Sequence, residues 1–347
     1  MLNRLLGLEI LSLTLTLFIS ACQPKPQVKR AFYHWQTNLS LSPTEQKSLQ
    51  ALQVSRLYAK FFDVDWDEAQ GQIVPLASIQ IDTAGLQHLE LIPVIYITNR
   101  TWDHVESEAQ LETLVQRVIA KIDALSQPLG KPSLSEIQID CDWTAGSRSV
   151  YFAFLEKLSN KLAQRKCRVS ATIRLHQYKY PQRTGIPPVA SGTLMLYNVG
   201  DLESWEEENS IFSKSAVEAY APLPKYPLSL DVVLPAFSWG VLFREGEMIR
   251  LLNELRVEDL QGDTRFEQIA PQRFRVQKST YLNGHYLYQG DLLRIETCGY
   301  AELLAAARFA EKHLSVSGLH WVAIYHWHPR LKKVLSDDEL EDVFAVF

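Results

Sequence analysis

Asp140 and Asp142 stand two residues apart in the run EIQIDCDWT, at the end of an alternating apolar stretch. In an extended strand, residues i and i+2 point to one face. The two carboxyls therefore share a side, and Cys141 faces the other. Like charges held that close raise each other's proton affinity, which is one way a carboxylic acid stays protonated near neutral pH. A protonated and an ionised carboxyl on one wall are the tools of general acid–base chemistry, and glycoside cleavage requires such a pair flanking the bond that breaks. Asp142 is the expected acid or nucleophile and Asp140 the partner that tunes it. Glu296, or else Asp63, is the candidate for a second carboxylate.

Positioning such a pair takes a scaffold. Eight short apolar or aromatic runs recur along the chain, at residues 31–35, 56–62, 91–98, 136–142, 168–174, 193–199, 228–237 and 319–327. Their β-branched and aromatic content at this length is that of buried parallel strands. Helical patterns alternate with them. Residues 42–54 begin with Ser42, Pro43 and Glu45, a capping box with proline at the first helical position. Residues 107–125 place Leu111, Leu114, Val115, Val118, Ile119 and Ile122 on one stripe. Residues 150–164 and 300–314 repeat the pattern. Strand–helix alternation implies right-handed parallel crossovers, and eight such strands predict an α/β fold, a closed (β/α)8 barrel. An open doubly wound sheet is the alternative, but no glycine-rich phosphate loop follows the first strand. The span 240–297 between strands seven and eight is read as an excursion carrying a β-hairpin, with Asn283-Gly284 at its turn.

Barrel chemistry sits at the C-terminal ends of the strands. Those ends carry His34 and Trp35; Trp66; Asn99; Trp143; Arg174; Tyr197 and Asn198; Trp239; and Tyr325 and Trp327. Trp102 sits nearby, so six of the eight tryptophans fall near one rim. Flat aromatic faces ringed by carboxylates and amides suit sugar rings, so a carbohydrate ligand is expected and these residues are the expected binding set. The bland alternative is that rim aromatics merely cap the barrel core. His326 and His328 share a strand face and open a metal reading, but two hydrogen-bonded rim histidines look the same. No metal and no cofactor is expected.

Asp140-Cys141-Asp142-Trp143 resembles the fourth-strand D-x-D-W-E of glycoside hydrolase family 18, the chitinase-like barrels. Met195-Leu196-Tyr197-Asn198 resembles that family's sixth-strand M-x-Y-D/N, and Trp327 matches its floor tryptophan. The resemblance implies a glycoside hydrolase-like barrel, with Tyr197 and Asn198 holding substrate. Thr144 stands where the family carries its proton-donating glutamate, and Ile137 replaces the acid three positions before Asp140. YITNRTW stands in place of a glycine-rich third-strand motif. Two functions therefore follow as expectations: a hydrolase with altered machinery, or a glycan-binding protein that kept the cleft and lost the acid.

The first residues bear on location. Arg4 precedes a short apolar run that ends at Ala21-Cys22. The run falls short of the ~20 residues a membrane span needs and reads as a secretory signal. Ile19-Ser20-Ala21-Cys22 resembles a bacterial lipobox, which implies lipidation at Cys22 and an anchor in the cell envelope; Gln23 after the cysteine points to the outer membrane. Residues 1–21 are then the signal, 22–30 a tether and 31–347 the barrel. A formal charge of −5 with no basic cluster argues against nucleic acid. Cys141 and Cys167 fall at opposite ends of neighbouring strands, so no disulfide is expected. A monomer is expected.

Overall fold

The computed structural model describes residues 28–130, 134–314 and 321–347. The signal, Cys22 and most of the tether lie outside them. Eight strands form a closed barrel: β1 Lys29–His34, β2 Val54–Asp67, β3 Glu90–Ile97, β4 Glu136–Asp140, β5 Arg168–Arg174, β6 Ser191–Met195, β7 Leu230–Pro235 and β8 Trp321–Tyr325. Each pairs in parallel with the next, and β1 pairs with both β2 and β8. The eight predicted strands and their order are these. β2 runs beyond the rim, where Gln72–Leu76 adds antiparallel against Asp63 to Asp67.

Helices cover the outside. α1 Pro43–Ala51 is closed by the reciprocal Ser42–Glu45 capping box. α2 Glu108–Ser126 buries its predicted stripe, and α3 Arg148–Ala163, α4 Tyr300–His313 and α5 Asp337–Phe344 complete the layer. Between β5 and β7 only short helices occur, Leu175–Lys179, Pro181–Thr184 and Lys214–Glu218.

The alternation along β4 explains how the site is carried. Ile137, Ile139 and Cys141 face the helices, while Glu136, Gln138 and Asp140 point into the barrel, all buried. The interior is accordingly polar and hydrogen-bonded. At its lower end Arg56 pairs with Glu136 at 3.2 Å and stacks over Trp321 at 3.9 Å. Higher up, Tyr33 donates to Gln138 at 2.6 Å, and Gln138 donates to Thr193 at 2.9 Å. A buried charge is tolerated only when paired and hydrogen-bonded, and this ladder meets that condition up to Asp140.

The excursion after β7 is more than a hairpin. Glu247–Asn253, Ser238–Arg244, Leu292–Thr297, Arg273–Val276 and Phe266–Ala270 form, in that spatial order, a five-stranded antiparallel sheet. It buries its own cluster, including Leu242, Leu252, Phe274, Leu293 and Ile295. The predicted hairpin is present as Thr280–Leu282 paired with His285–Leu287. Its turn residues Asn283 and Gly284 have φ of 49° and 79°, the two positive values a tight hairpin turn requires. The sheet begins at Ser238, directly after β7, so its first strand continues from the barrel mouth.

Cys141, Cys167 and Cys298 are free and buried. Among the described residues no helix is long and apolar enough to cross a membrane.

Candidate functional site

A cavity of about 510 Å³ opens at the C-terminal end of the barrel. Of the residues expected there, the structure brings together Trp35, Asp140, Asp142, Arg174, Tyr197, Asn198, Trp239 and Tyr325. Its aromatic lining is mutually packed: Tyr325 lies 5.5 Å from Trp35 and 5.3 Å from Tyr197, and Phe237 meets Trp239 at 5.3 Å. The Trp239 indole is fixed by donating to Glu296 at 2.8 Å.

The two aspartates have different environments. The β4–β5 register sets Ile139 against Ala171, which carries Asp140 to the level of Thr172 and Asp142 to that of Arg174. Asp140 is 3% exposed and accepts from Thr172 Oγ1 at 2.7 Å. Burial pushes its carboxyl up to about 6; Arg174 opposes this, and the negative charge of Asp142 adds to it. Asp142 lies past the strand end, half exposed, and is gripped by Arg174. Nη2 donates to one oxygen at 2.9 Å and Nε to the other. A guanidinium thus sits beside the carboxylates, and the simple like-charge pair expected from the spacing is replaced by a triad. The Arg174 guanidinium also faces the Tyr197 ring at 5.8 Å, and its Nη1 is buried without a hydrogen-bond partner. Thr144, at the position of the family's acid, is turned into its own loop. Its N–H donates to Ser147 Oγ at 2.9 Å, at the start of α3.

Seven expected residues do not line the cavity. Glu296 is fully buried in the insertion sheet, paired with Arg294 at 2.6 Å and accepting from Ser210 and Trp239, so it orients the wall and does not reach the cavity. Trp327 points outward between β1 and α1, edge-on to Phe32 at 5.0 Å and donating to Glu45 at 3.2 Å. Tyr325 is the cavity's aromatic residue from β8. Trp143 is buried against Tyr151 and Phe152 and donates to the Thr184 carbonyl at 2.8 Å. Trp66 stacks on His104 at 3.7 Å beside a separate groove of about 480 Å³. Asn99 braces the β4 loop, donating to the Asp142 carbonyl and accepting from Ser147 at 2.8 Å. His34 is buried against the Asn38 carbonyl at 3.1 Å, and burial lowers its imidazole to about 4. Asp63, the other candidate carboxylate, pairs with Lys60 at 3.1 Å and is not among the lining residues.

The sequence reading missed Tyr96, Phe237 and Glu254. Glu254 follows the insertion strand Glu247–Asn253 and brings a carboxylate to the cavity wall. It takes up His326 Nε2 at 3.0 Å and lies 3.4 Å from His328 Nδ1. The histidines weighed as metal ligands are therefore partners of a carboxylate. Among the described residues no group of three His, Cys, Asp or Glu side chains is placed to hold a metal ion.

Solved structures share this architecture. The spore cortex-lytic enzyme SleL of Bacillus megaterium QM B1551 matches with a TM-score of 0.55 at 12% identity, covering 94% of this chain and 74% of that one. A class V chitinase of Pseudomonas fluorescens Pf-5 matches at 0.53 and 13%, covering 92% and 100%. The group IV chitinase of Ostrinia furnacalis in complex with allosamidin matches at 0.53 and 9%, covering 92% and 97%. The fold is that of the chitinase-like barrels. No protein-family model and no curated sequence matches the chain, so the likeness is one of distant relatives and speaks for the barrel. The motifs read as chitinase-like fall on β4 and just after β6 of that barrel, both at the cavity.

Proposed function

We propose that this chain is a cell-envelope lipoprotein whose barrel mouth binds an oligo- or polysaccharide, and that the chitinase-like site has been turned from cleavage toward binding. One observation carries the reading: the cavity joins stacked aromatic faces to fixed polar groups, yet both oxygens of Asp142 are occupied by guanidinium N–H groups. A carboxyl so engaged is not free to act on a leaving oxygen, and acid-assisted glycoside cleavage needs one that is. Thr144 has no carboxyl to replace it. Aromatic faces on one side and Arg174, Asn198 and Glu254 around them suit a ring that offers C–H faces and hydroxyls.

Hydrolysis is the second reading, favoured by a specific pair. Asp140 holds its proton up to about pH 6, and Glu254 supplies a carboxylate from a different wall. A glycan-array screen of the chain lacking residues 1–22, followed by a reducing-end assay on each hit, separates the two. Retention without release of reducing ends supports binding; release that disappears in Asp140→Asn supports turnover. No retained glycan at all refutes both.

A further inference from the structure

Glu254 differs from the other two carboxylates of the cavity. Asp142 is held by Arg174, and Asp140 lies beneath, nearly buried, with Oδ1 accepting from Thr172. Glu254 meets only imidazoles. Burial works against its charge, but the hydrogen bond from His326 and the neighbouring imidazoles outweigh it and hold the carboxyl below the usual range. It is therefore an anion. The cations behind it are engaged elsewhere or set back from the cavity. Arg330 is bidentate to Asp259 at 2.8 and 3.0 Å and gives Glu254 only a bond to its carbonyl, at 2.9 Å. Arg256 acts on Glu254 without a hydrogen bond to its carboxylate, is partly buried and does not line the cavity.

The backbone fixes this anion in place. Glu254 has a φ of 58°, a conformation that side-chain-bearing residues adopt at a cost and that clusters at functional sites. Its N–H donates to the Ser238 carbonyl at 2.9 Å, which ties it to the first insertion strand. A second observation points to a ligand. His326 is 7% exposed, lines the cavity and has its Nδ1 buried without a partner. Nε2 faces the Glu254 carboxylate, and in the neutral ring this leaves a lone pair on Nδ1. This wall thus offers a carboxylate and a bare imidazole nitrogen, both acceptors. Among the lining residues only Arg174 is a permanent cation, against Asp140, Asp142 and Glu254.

We infer that the saccharide bound here carries a free amino group, and that Glu254 with His326 receives its ammonium. This rests on the reading of the cavity as a saccharide site and names the class of sugar within it. An ammonium brings three N–H donors and a positive charge, which matches a wall of acceptors with net negative charge. An N-acetylated or neutral sugar desolvates Glu254 further and brings no positive charge to it. The aromatic faces hold the rings of all three sugar types alike, so the amino group decides the preference.

The test is calorimetric titration of the full-length chain with soluble oligomers of glucosamine, of N-acetylglucosamine and of glucose. The titrations are run near neutral pH, where the amines keep part of their protons, and at low and high salt. Glucosamine oligomers are expected to bind about tenfold or more tightly than the others, with a preference that shrinks as salt rises. Glu254→Gln is expected to erase the preference for the glucosamine oligomers over the acetylated and neutral ones. Equal or tighter binding of the acetylated or neutral oligomers by the wild type, or a preference that survives in Glu254→Gln, overturns this inference and leaves the saccharide reading standing. Absence of binding to all three overturns the saccharide reading with it. The wild-type comparison needs no variant and so holds even where Glu254→Gln fails to fold.

Discussion

Asp140→Asn is expected to make the protein more stable at alkaline pH. The carboxyl of Asp140 is raised from its ordinary 3.8 to about 6. That difference corresponds to about 3 kcal/mol at 1.36 kcal/mol per tenfold change in proton affinity. Between about pH 4 and pH 6 the native state keeps a proton that the unfolded chain has released. The unfolded chain then binds fewer protons, and stability falls as pH rises. Above about pH 6 the full cost is present; below about pH 4 it is absent. Asparagine keeps an oxygen to accept the Thr172 hydroxyl bond of 2.7 Å and introduces no charge. The variant should therefore gain up to about 3 kcal/mol at pH 8, about 5 °C in melting temperature for a chain of this size, and little or nothing at pH 4. Scanning calorimetry of both proteins across that range gives a difference curve in which other titrating groups cancel. A variant less stable than wild type at pH 8, or a difference that does not grow between pH 4 and 6, refutes the reasoning.

Two tryptophans predicted together should part company. Trp35→Ala should weaken saccharide binding at least about tenfold, by titration, with a modest change in melting. Trp327→Ala should destabilise by about 3–5 kcal/mol in chemical denaturation while the folded fraction binds as wild type, because its indole fills space outside the cavity. Glu296→Gln should cost about 3–5 kcal/mol by leaving the Arg294 guanidinium buried without its carboxylate. On the lipoprotein reading, Cys22→Ser should leave an unlipidated precursor, seen as loss of lipid labelling and a larger apparent mass.

How much of this could be read from residue order depends on what each residue needs to know. The eight barrel strands were legible because a parallel strand buried on both faces must be apolar or β-rich along its length. The period-2 rule correctly turned Asp140 inward with Gln138 and Glu136, but β4 stops at Asp140, so the rule had no hold on Asp142. The pairing of Asp142 with Arg174 comes from the alignment of β4 on β5, which no local pattern encodes. Position near the rim was visible for Trp66, Trp143 and Trp327, but the direction of each indole was not: a neighbour such as His104, Thr184 or Glu45 set it. Glu254 was illegible because its place in the cavity depends on how a whole inserted sheet folds back. The Asn283-Gly284 turn of the separate hairpin in the same insertion was plain, since two positive φ angles need those residues.

The direction of β1 sets an orientation for the whole molecule. The chain enters the barrel at Lys29, at the end plugged by Arg56 and Glu136, and reaches the open end at His34. An anchor on Cys22 would therefore hold the plugged end toward a bilayer and aim the aromatic cavity away from it. A strand of six residues at about 3.3 Å each places the mouth roughly 20 Å above the entry point. Anchored so, the cavity would face away from the headgroups and toward polymer lying beyond them.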